Sequence, residues 1–338
     1  MQVKNIFRLA CLVIIFSVFG NSQEPDFNKI RLTHLSERAI VMSGTQFKTN
    51  QLILKSKIGL ILIDSGISPQ YAKKIRSIAS TEFNIDNFIY IINTHHHWDH
   101  VQGNQVFPEA TIVGHENCGD QMRSQKPVNI KTEVNQIRIK ENQKNTALDK
   151  IPPPPPSHIL IDGVGDFSLT PPDLSFRDRL KIVSGDLTLY LLWYGECHTN
   201  NDILIYCPEE NILAVGDLFY KKSLPPFSKH RDLNIPQWIK TLDWILGEEH
   251  LIKYIVPGHN ELLERGDLVL YRNYIATLWK GIKKAISKGY SLQKINHNFS
   301  LKNKFPALVN RDHFSNNGGS LHQGNVNAIW NQILKNEN

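Results

Sequence analysis

The sequence predicts an α/β fold in which two mixed β-sheets pack face to face and carry helices on their outer faces. A repeated order of elements leads to this prediction. Each half of the chain contains a strand hairpin, then an amphipathic helix, then a short apolar run that ends in polar residues. Short, continuously apolar runs are typical of strands that are buried on both faces. Two such units packed sheet to sheet would bring both sets of polar residues to one edge.

The first unit begins with residues 50–66, whose two apolar runs flank a Gly-containing turn and predict a β-hairpin. Ser68 and Pro69 have the residue types of a helix N-cap and first turn, so a helix is predicted directly after them. Residues 87–93 form a short apolar run, as expected of a buried strand. The predicted hairpin ends at Asp64, and a histidine-rich segment begins where the apolar run stops.

The second unit repeats this order. Residues 178–198 and 201–219 each predict a pair of strands joined by a short polar turn. A helix over residues 235–246 and an apolar strand within residues 252–259 follow. The second strand pair ends at Asp217, in an apolar and then Gly-Asp setting similar to that of Asp64.

Two further segments depart from this repeat. Residues from about 120 to 157 are polar and end in five consecutive prolines, which predicts a solvent-exposed insertion with an extended spacer. A lid over a functional site is the alternative, because long loops can be either. A strong amphipathic pattern over residues 266–289 and a second one over 321–334 predict a C-terminal helical segment, at about 266–338.

Residues 1–23 have the layout of a secretory signal peptide. Lys4 and Arg8 precede an apolar run at 9–19, and small and polar residues follow. An apolar run of this length is too short to span a bilayer comfortably. We therefore expect that residues 24–338 form one domain, which works in the periplasm or outside the cell and has no stable membrane span after cleavage. A retained membrane anchor is the alternative.

Composition excludes several classes of protein. Hydrophobic residues make up 41% of the chain and charged residues 21%, as in an ordinary globular protein. The net charge of +6 is spread along the chain without a block of like charges, so a nucleic-acid partner is not expected. Outside the predicted signal peptide, Cys118, Cys197 and Cys207 are odd in number and lack C-x-x-C spacing. They support neither a disulfide framework nor a structural cysteine–zinc site. A single disulfide bridge is the alternative in an oxidising compartment, and the sequence does not choose its pair.

The segment at 93–104, NTHHHWDHVQGN, concentrates metal-binding side chains. Imidazoles one residue apart in a turn can face the same ion, which pairs His95 with His97. Asp99 and His100 begin the next segment and can reach a second point a few ångströms away. Neutral imidazole and carboxylate together are the ligands of zinc and similar borderline ions.

This motif resembles the signature of the metallo-β-lactamase superfamily. It is most similar to the form of the signature in the glyoxalase II and related hydrolase branches. Four other segments resemble the remaining motifs of that family in the same order. They are LILIDSG at 60–66, GECHTNND at 195–202, AVGDLF at 214–219 and IVPGHN at 255–260. The resemblance runs from about residue 38 to residue 265 and implies the four-layer αββα sandwich of the metallo-β-lactamase fold.

The resemblance also implies a site for two metal ions, with Asp217 as the carboxylate that bridges them. The implied ligands are His95, His97 and His198 for the first ion, and Asp99, His100 and His259 for the second. Asp64 would orient ligands from behind, although a turn or helix-capping aspartate is the rival interpretation. The expected cofactor is zinc, two ions per chain, with iron or manganese as alternatives.

The expected activity is hydrolysis of an ester, thioester, lactone or amide in a small-molecule substrate, by a hydroxide held between the two ions. Asp99 and Asp217 are the candidate catalytic residues. Hydrolysis of β-lactam antibiotics is the first alternative. Two departures weaken it. The Asp217 position is cysteine or serine in the main lactamase subclasses, and the lysine of the cysteine-bearing subclass would fall near Tyr220, one position before Lys221. A non-catalytic metal-binding protein is the second alternative.

Residues 220–234 follow Asp217 and are expected to pass near the site. Lys221, Lys222, His230 and Arg231 in this loop could bind an anionic substrate. An ordinary solvated face is the other interpretation of these charges. The sequence does not determine the oligomeric state.

Overall fold

The computed structural model describes residues 30–44, 48–124, 169–225, 227, 233–247, 251–312 and 320–337. The predicted signal peptide at 1–23, most of the predicted insertion at about 120–157, and His230 and Arg231 lie outside the described residues. Two mixed sheets and the helices that cover them make up the described structure.

The first sheet has seven strands, whose order in space is their order in the chain. They are β1 (Ile30–His34), β2 (Ala39–Gly44), β3 (Asn50–Ser56), β4 (Gly59–Ile63), β5 (Phe88–Ile92), β6 (Thr111–His115) and β7 (Leu174–Phe176). Pairing is antiparallel from β1 to β4 and parallel from β4 to β7. The carboxyl ends of β4, β5 and β6 therefore lie at one edge.

The second sheet has five strands in the order β12-β11-β10-β9-β8. They are β8 (Arg179–Ser184), β9 (Leu187–Leu192), β10 (Leu204–Cys207), β11 (Ile212–Gly216) and β12 (Tyr254–Pro257). β8 to β11 pair antiparallel, and β11 and β12 pair parallel. The described helices are α1 (Pro69–Phe83), α2 (Trp98–Val101), α3 (Glu116–Ser124), α4 (Ile235–Ile245), α5 (Arg265–Ile286), α6 (Leu292–Asn298), α7 (Leu301–Lys304) and α8 (Leu321–Glu337).

Local chemistry sets the ends of the two helices that connect parallel strands. The Ser68 side chain accepts a hydrogen bond from the backbone of α1, and Asn84 ends that helix in the left-handed conformation, with φ of 52°. Asn234 caps α4 in the same way as Ser68 caps α1. Among the described helices, none combines the length and the apolar character that crossing a membrane requires.

Buried apolar residues form three layers of contact between four layers of structure. Leu52 of the first sheet and Leu189 of the second belong to one cluster between the sheets. Helix α1 buries Ile75 against the outer face of the first sheet. Helices α4 and α5 bury Trp238 and Tyr271 against the second sheet. These contacts confirm the predicted αββα sandwich of two mixed sheets with outer helices.

The repeated order predicted from the sequence is also confirmed. Each sheet contains a parallel pair, β4/β5 or β11/β12, joined by one outer helix, α1 or α4. Strands β1, β2, β6 and β7 were not predicted individually, because their short runs carry no turn or motif that separates them from loops. The C-terminal residues form α5 to α8 in the described part, as the amphipathic patterns predicted.

Candidate metal centre

The proposed ligands lie where strands of both sheets end. His95 and His97 follow β5, and Asp99 and His100 lie in the short helix α2. His198 lies between β9 and β10, Asp217 directly follows β11, and His259 follows β12. The parallel pairs β4/β5 and β11/β12 place these loops at one edge of the sandwich, because parallel neighbours end on the same side.

One group of four side chains surrounds a common point. His95, His97, His198 and Asp217 each offer a donor atom, and the four atoms lie within 4.8 Å of one another. The Nε2 atom of His95 and the Nδ1 atom of His97 are 3.0 Å apart. His198 Nε2 is 3.2 Å from the same Nδ1 atom.

A second group of three side chains lies beside the first. Asp99, His100 and His259 also have donor atoms within 4.8 Å of one another. The Nε2 atoms of His100 and His259 are 3.3 Å apart, and Asp99 Oδ2 is 3.2 Å from His259 Nε2.

Asp217 faces both groups. Its Oδ2 atom lies 3.9 Å from His95 Nε2 and 3.8 Å from His198 Nε2. The same carboxylate lies 3.3 Å from the Nε2 atoms of His100 and His259. Asp217 is therefore the one carboxylate among the seven side chains within 4 Å of imidazoles from both groups.

These separations fit metal coordination. Ligand atoms about 2.0–2.1 Å from a tetrahedral zinc ion lie about 3.3 Å from one another. The His95–His97, His97–His198 and His100–His259 nitrogen distances are 3.0–3.3 Å, close to the edge length of such a polyhedron. Imidazole and carboxylate donors are also the chemistry that zinc accepts. The residues present therefore fit two cations that share Asp217.

Asp64 supports ligands of both groups. The backbone N–H of Thr94 donates to Oδ1 of Asp64, and the Thr94 hydroxyl donates to Oδ2, both at 2.8 Å. His100 Nδ1 lies 2.8 Å from Oδ2. Asp64 itself has a φ of 60°, a left-handed conformation that aspartate tolerates better than most residues. This backbone turns the carboxylate toward the histidine segment.

The histidine segment is braced from the opposite side by amides. The backbone N–H of His96 donates to Oδ1 of Asn201 at 2.9 Å, and the Asn201 side chain reaches His96 Nδ1 at 2.8 Å. Asn93 and Asn104 exchange hydrogen bonds through their side-chain amides. His96 thus serves to fix the loop, as expected for a residue that points away from the ions.

Gly258 makes room for the ligands. A Cβ atom at this position would lie 2.2 Å from Oδ1 of Asp217 and 2.8 Å from Cε1 of His100. Such contacts are too short for a real side chain, so only glycine allows β12 to pass this close. The close approach of Asp217 and His100 therefore explains why the motif IVPGHN has a glycine at position 258.

The C-terminal helices hold the segment that follows Asp217. The Tyr220 hydroxyl donates to Oδ2 of Asp217 at 2.9 Å, and burial together with that carboxylate raises the pKa of Tyr220 well above its usual value. The buried Tyr271 hydroxyl contacts the backbone carbonyls of Tyr220 and Ser223. Arg311 donates to the Tyr271 hydroxyl at 3.0 Å. Helix α5 thereby fixes the position of Tyr220.

The two groups differ in electrostatics. Burial, with the neighbouring imidazoles of His100 and His97, lowers the pKa of His95 well below its usual value. Burial would also lower the pKa of His100, but the carboxylates of Asp217, Asp99 and Asp64 outweigh it and raise this pKa well above the usual value. The pKa of His259 rises to about 10 because Asp217 and Asp99 outweigh burial there too. The second group is therefore the more negative environment.

The cysteines and loop lysines lie outside this centre. Cys118, Cys197 and Cys207 are buried free thiols, and burial raises the pKa of each. Thiols of this kind are unreactive, so these cysteines fill space in the core. Lys221 and Lys222 form ion pairs with Glu264 and Glu261.

Sequence reasoning missed Thr94, Asn201 and Gly258 as parts of the site. Thr94 and Gly258 are adjacent to predicted ligands, which is the signal that could have identified them. Asn201 lies within the motif at 195–202, three residues after His198, but its hydrogen bonds to His96 cross 105 positions. All seven predicted ligands do come together in the two groups, and their role as ligands stays a prediction.

Comparisons with known proteins agree with this geometry. A family model described as the metallo-beta-lactamase superfamily matches residues 44–259. "Metallo-beta-lactamase type 2" of Bacillus cereus is 23% identical over 227 residues, which cover 67% of this chain and 73% of that protein. "Metallo-beta-lactamase IND-1" of Chryseobacterium indologenes is 20% identical over 266 residues, covering 77% and 93% of the two chains.

Two solved structures share the fold. The sec-alkylsulfatase Pisa1 from Pseudomonas sp. matches with a TM-score of 0.65 and 16% identity, covering 91% of this chain and 51% of that chain. This chain thus spans about half the length of the alkylsulfatase. A metallo-beta-lactamase from Pontibacter korlensis matches with a TM-score of 0.51 and 18% identity, covering 73% and 99%. With the family match over residues 44–259, these findings establish that the chain belongs to the metallo-beta-lactamase superfamily and is a metal-dependent hydrolase by class.

Proposed function

We propose that this chain is a dinuclear zinc hydrolase that cleaves an ester, thioester, lactone or amide bond in a small molecule. The observation that carries the proposal is the convergence of seven histidine and aspartate side chains into two groups, with Asp217 within 4 Å of imidazoles from both. Two bound cations would supply a water molecule whose pKa is lowered from 15.7 to about 7 and would stabilise the negative charge that develops on the substrate.

The protein's own residues account for the rest of the reaction. Asp217 holds the two ligand groups in register from a position that is 6% exposed. The Asp99 side chain is 16% exposed, so it is the carboxylate of the centre that faces the substrate side more openly. We assign to the other carboxylate oxygen of Asp99, Oδ1, the task of accepting the proton of the attacking water, because Oδ2 is the oxygen that faces His259. Iron or manganese in place of zinc would require the same ligand arrangement.

Hydrolysis of β-lactams is the second candidate. Its support is that curated relatives at 20–27% identity carry the name metallo-beta-lactamase. Against it stand the aspartate at position 217 and the tyrosine at position 220. We rank it below ester, thioester, lactone and amide hydrolysis for these two reasons.

Export is also a proposal. The basic, apolar and small-residue order of residues 1–23 supports a periplasmic or secreted hydrolase. The amino-terminal sequence of the protein recovered from the periplasm or the culture medium tests this. A mature chain that begins near residue 24 would support export, and retention of the complete sequence in the cytoplasm would contradict it.

Metal content per chain is the first test of the function. We expect about two zinc ions per wild-type chain and a loss of metal in the Asp217→Asn variant. The control is Asp243→Asn, which changes an exposed aspartate of α4 and should keep both ions. Turnover is then measured with thioesters, lactones, esters, amides and nitrocefin, with and without a chelator. Chelator-sensitive turnover of the first four classes supports the proposal, and fast turnover of nitrocefin alone would favour the β-lactamase. Full metal loading without any turnover would indicate a binding protein and would contradict the hydrolase.

A further inference from the structure

A cavity of about 450 Å³ lies beside the metal centre. Its walls come from β1, the end of β2, residue 48 and the segments that follow Tyr220 and His259. The backbone N–H of Asn260 donates to the carbonyl of Lys48 at 2.8 Å, and Thr49 pairs with His259 in an isolated bridge. The cavity is therefore lined by Asn260, the residue that directly follows the proposed ligand His259.

Positive charge predominates in the cavity wall. Arg31, Lys48 and Lys221 line it, whereas Glu261 is its one acidic lining residue. Lys221 is paired with Glu264 at 2.8 Å, and Glu261 is paired with Lys222, which lowers the pKa of this carboxyl group. Within the part of the chain that the structure describes, neither Arg31 nor Lys48 has a carboxylate oxygen within 4 Å, and the charge of Lys48 acts on Glu261 only as a small contribution to its lowered pKa.

The same cavity has an apolar side. Val41 is buried in the cluster between the sheets, and Leu262 packs against that cluster from the segment after His259. Ser43 donates its hydroxyl proton to Asn50 at 2.6 Å, so this hydroxyl presents lone pairs and not a proton to the cavity. The lining thus offers an apolar wall and two cations, Arg31 and Lys48, that form no ion pair among the described residues, to a group held next to the metal centre.

We propose that this cavity is the specificity site for the substrate, and that Arg31 and Lys48 bind an anionic group that the substrate carries beside its scissile bond. The inference rests on the proposed hydrolase function and narrows its substrate to a small anion with an apolar segment, such as a carboxylated ester or thioester. The apolar segment lies along Val41 and Leu262. The two cations act by attraction at binding and take no part in bond cleavage.

The expected size of the effect follows from exposure. Arg31 and Lys48 are exposed, so water and salt screen their attraction for an anion. Loss of one exposed ion pair of this kind raises the dissociation constant of the anion about fivefold at most. Loss of both cations raises it about tenfold to twentyfold. Their contribution should weaken as the ionic strength rises.

The test compares matched substrates on the metal-loaded enzyme. One pair is 4-nitrophenyl butyrate and 4-nitrophenyl hemisuccinate, which share a leaving group and differ in the charge of the acyl chain. A second pair places the carboxylate on the leaving group, as the butyryl thioesters of ethanethiol and 3-mercaptopropionate. For Arg31→Gln and Lys48→Gln we expect KM to rise about threefold to fivefold for an anionic member, with kcat and the neutral member unchanged. Arg31→Lys, which keeps the positive charge, should show a KM for the anionic member close to that of the wild type.

Lys73→Gln is the matched control, because Lys73 is an exposed lysine of the outer helix α1. This variant should leave KM and kcat unchanged for both the anionic and the neutral member of each pair. Equal changes for charged and neutral members in the Arg31 and Lys48 variants, or no change in either pair, would overturn the proposal. Raising the ionic strength should reduce the difference between wild type and variants for the anionic member alone.

Direct binding separates this inference from the proposed function. Calorimetric titration with succinate requires no turnover, and we expect the wild type to bind it about tenfold to twentyfold more tightly than the Arg31→Gln/Lys48→Gln double variant. Identical succinate binding would overturn the anion site even in an active hydrolase. Tighter binding by a wild type that hydrolyses none of the substrates would retain the anion site and contradict the hydrolase.

Discussion

The Asp64 carboxylate lies 2.8 Å from Nδ1 of His100, and the same oxygen accepts the hydroxyl proton of Thr94. Because the Thr94 hydroxyl has given its proton to Asp64, it can only accept from Nδ1 of His95, which lies 3.0 Å away. Both imidazoles then carry their proton on Nδ1 and present the lone pair of Nε2 to the ions. One carboxylate thereby fixes the tautomer of a ligand in each group.

Asp64→Asn should therefore weaken metal binding without disturbing the backbone. Asparagine tolerates the left-handed conformation of this residue, but its amide has one accepting oxygen where the carboxylate has two. Its NH2 group would therefore face either the backbone N–H of Thr94, or the Thr94 hydroxyl together with His100 Nδ1. Loss of such a supporting partner lowers metal affinity about tenfold to hundredfold. Competition with a chelator of known affinity measures the change. Asp243→Asn is the control, and an unaltered affinity in Asp64→Asn would refute the orienting role.

Metal binding should release protons from the second group. In the metal-free protein the carboxylates of Asp217 and Asp99 raise the pKa of His259 to about 10 and the pKa of His100 well above its usual value, so this group favours the protonated form of its imidazoles. An imidazole must be in its neutral form to ligate a metal ion, so metal binding displaces protons from this group. The affinity of this group should then fall about tenfold per pH unit for each proton as the pH decreases.

Calorimetry in buffers of different ionisation enthalpy counts these protons directly. His95, whose pKa is lowered, is already neutral at pH 7 and releases none. The first group should accordingly retain its ion at pH 6 better than the second. Zinc stoichiometry measured at pH 8 and at pH 6 tests this order, and simultaneous loss of both ions would contradict it.

Gly258→Ala should displace ligands of both groups. The added methyl group would overlap Asp217 and His100, and relief of that overlap must move one of them or β12. We expect a loss of about 1–3 kcal/mol in the free energy of unfolding and at least a tenfold loss of metal affinity. Gly266→Ala is a matched control, since a Cβ atom there meets nothing within 4 Å. Equal metal affinity in the two variants would contradict the steric argument.

The sequence could predict individual elements and the first four ligands from local patterns, whereas the four-layer sandwich and the ligands His198, Asp217 and His259 followed from the resemblance to the family. Hairpins, capped helices and the HHHWDH segment each occupy a short stretch of chain. The anion cavity is different, because Arg31 and Lys48 come together with Asn260 only through the pairing of β1 with β2 and the bridge between Thr49 and His259. Contacts across more than 200 positions leave no periodicity or spacing that a single sequence reveals.

The far end of the sandwich offers a test of stability that leaves the site untouched. Arg38, just before β2, pairs with Glu210 between β10 and β11 at 2.5 Å and with Asp186 between β8 and β9 at 2.9 Å. The Glu210 side chain is only 6% exposed. Arg38→Ala should reduce the free energy of unfolding by about 1–3 kcal/mol, because it leaves this buried carboxylate without its cation. Urea unfolding measures the change as a lower midpoint at an unchanged slope.

The double variant Arg38→Ala/Glu210→Ala separates the ion pair from the rest of the contact. Removing both partners should cost less than the sum of the two single variants, because no unpaired charge then stays buried between the sheets. Arg272→Ala provides the comparison, since Arg272 pairs with Asp243 where both side chains are at least a third exposed. An exposed pair of this kind contributes about 0–1 kcal/mol. Equal losses for Arg38→Ala and Arg272→Ala would show that the connection between the two sheets at Glu210 adds nothing beyond a surface ion pair.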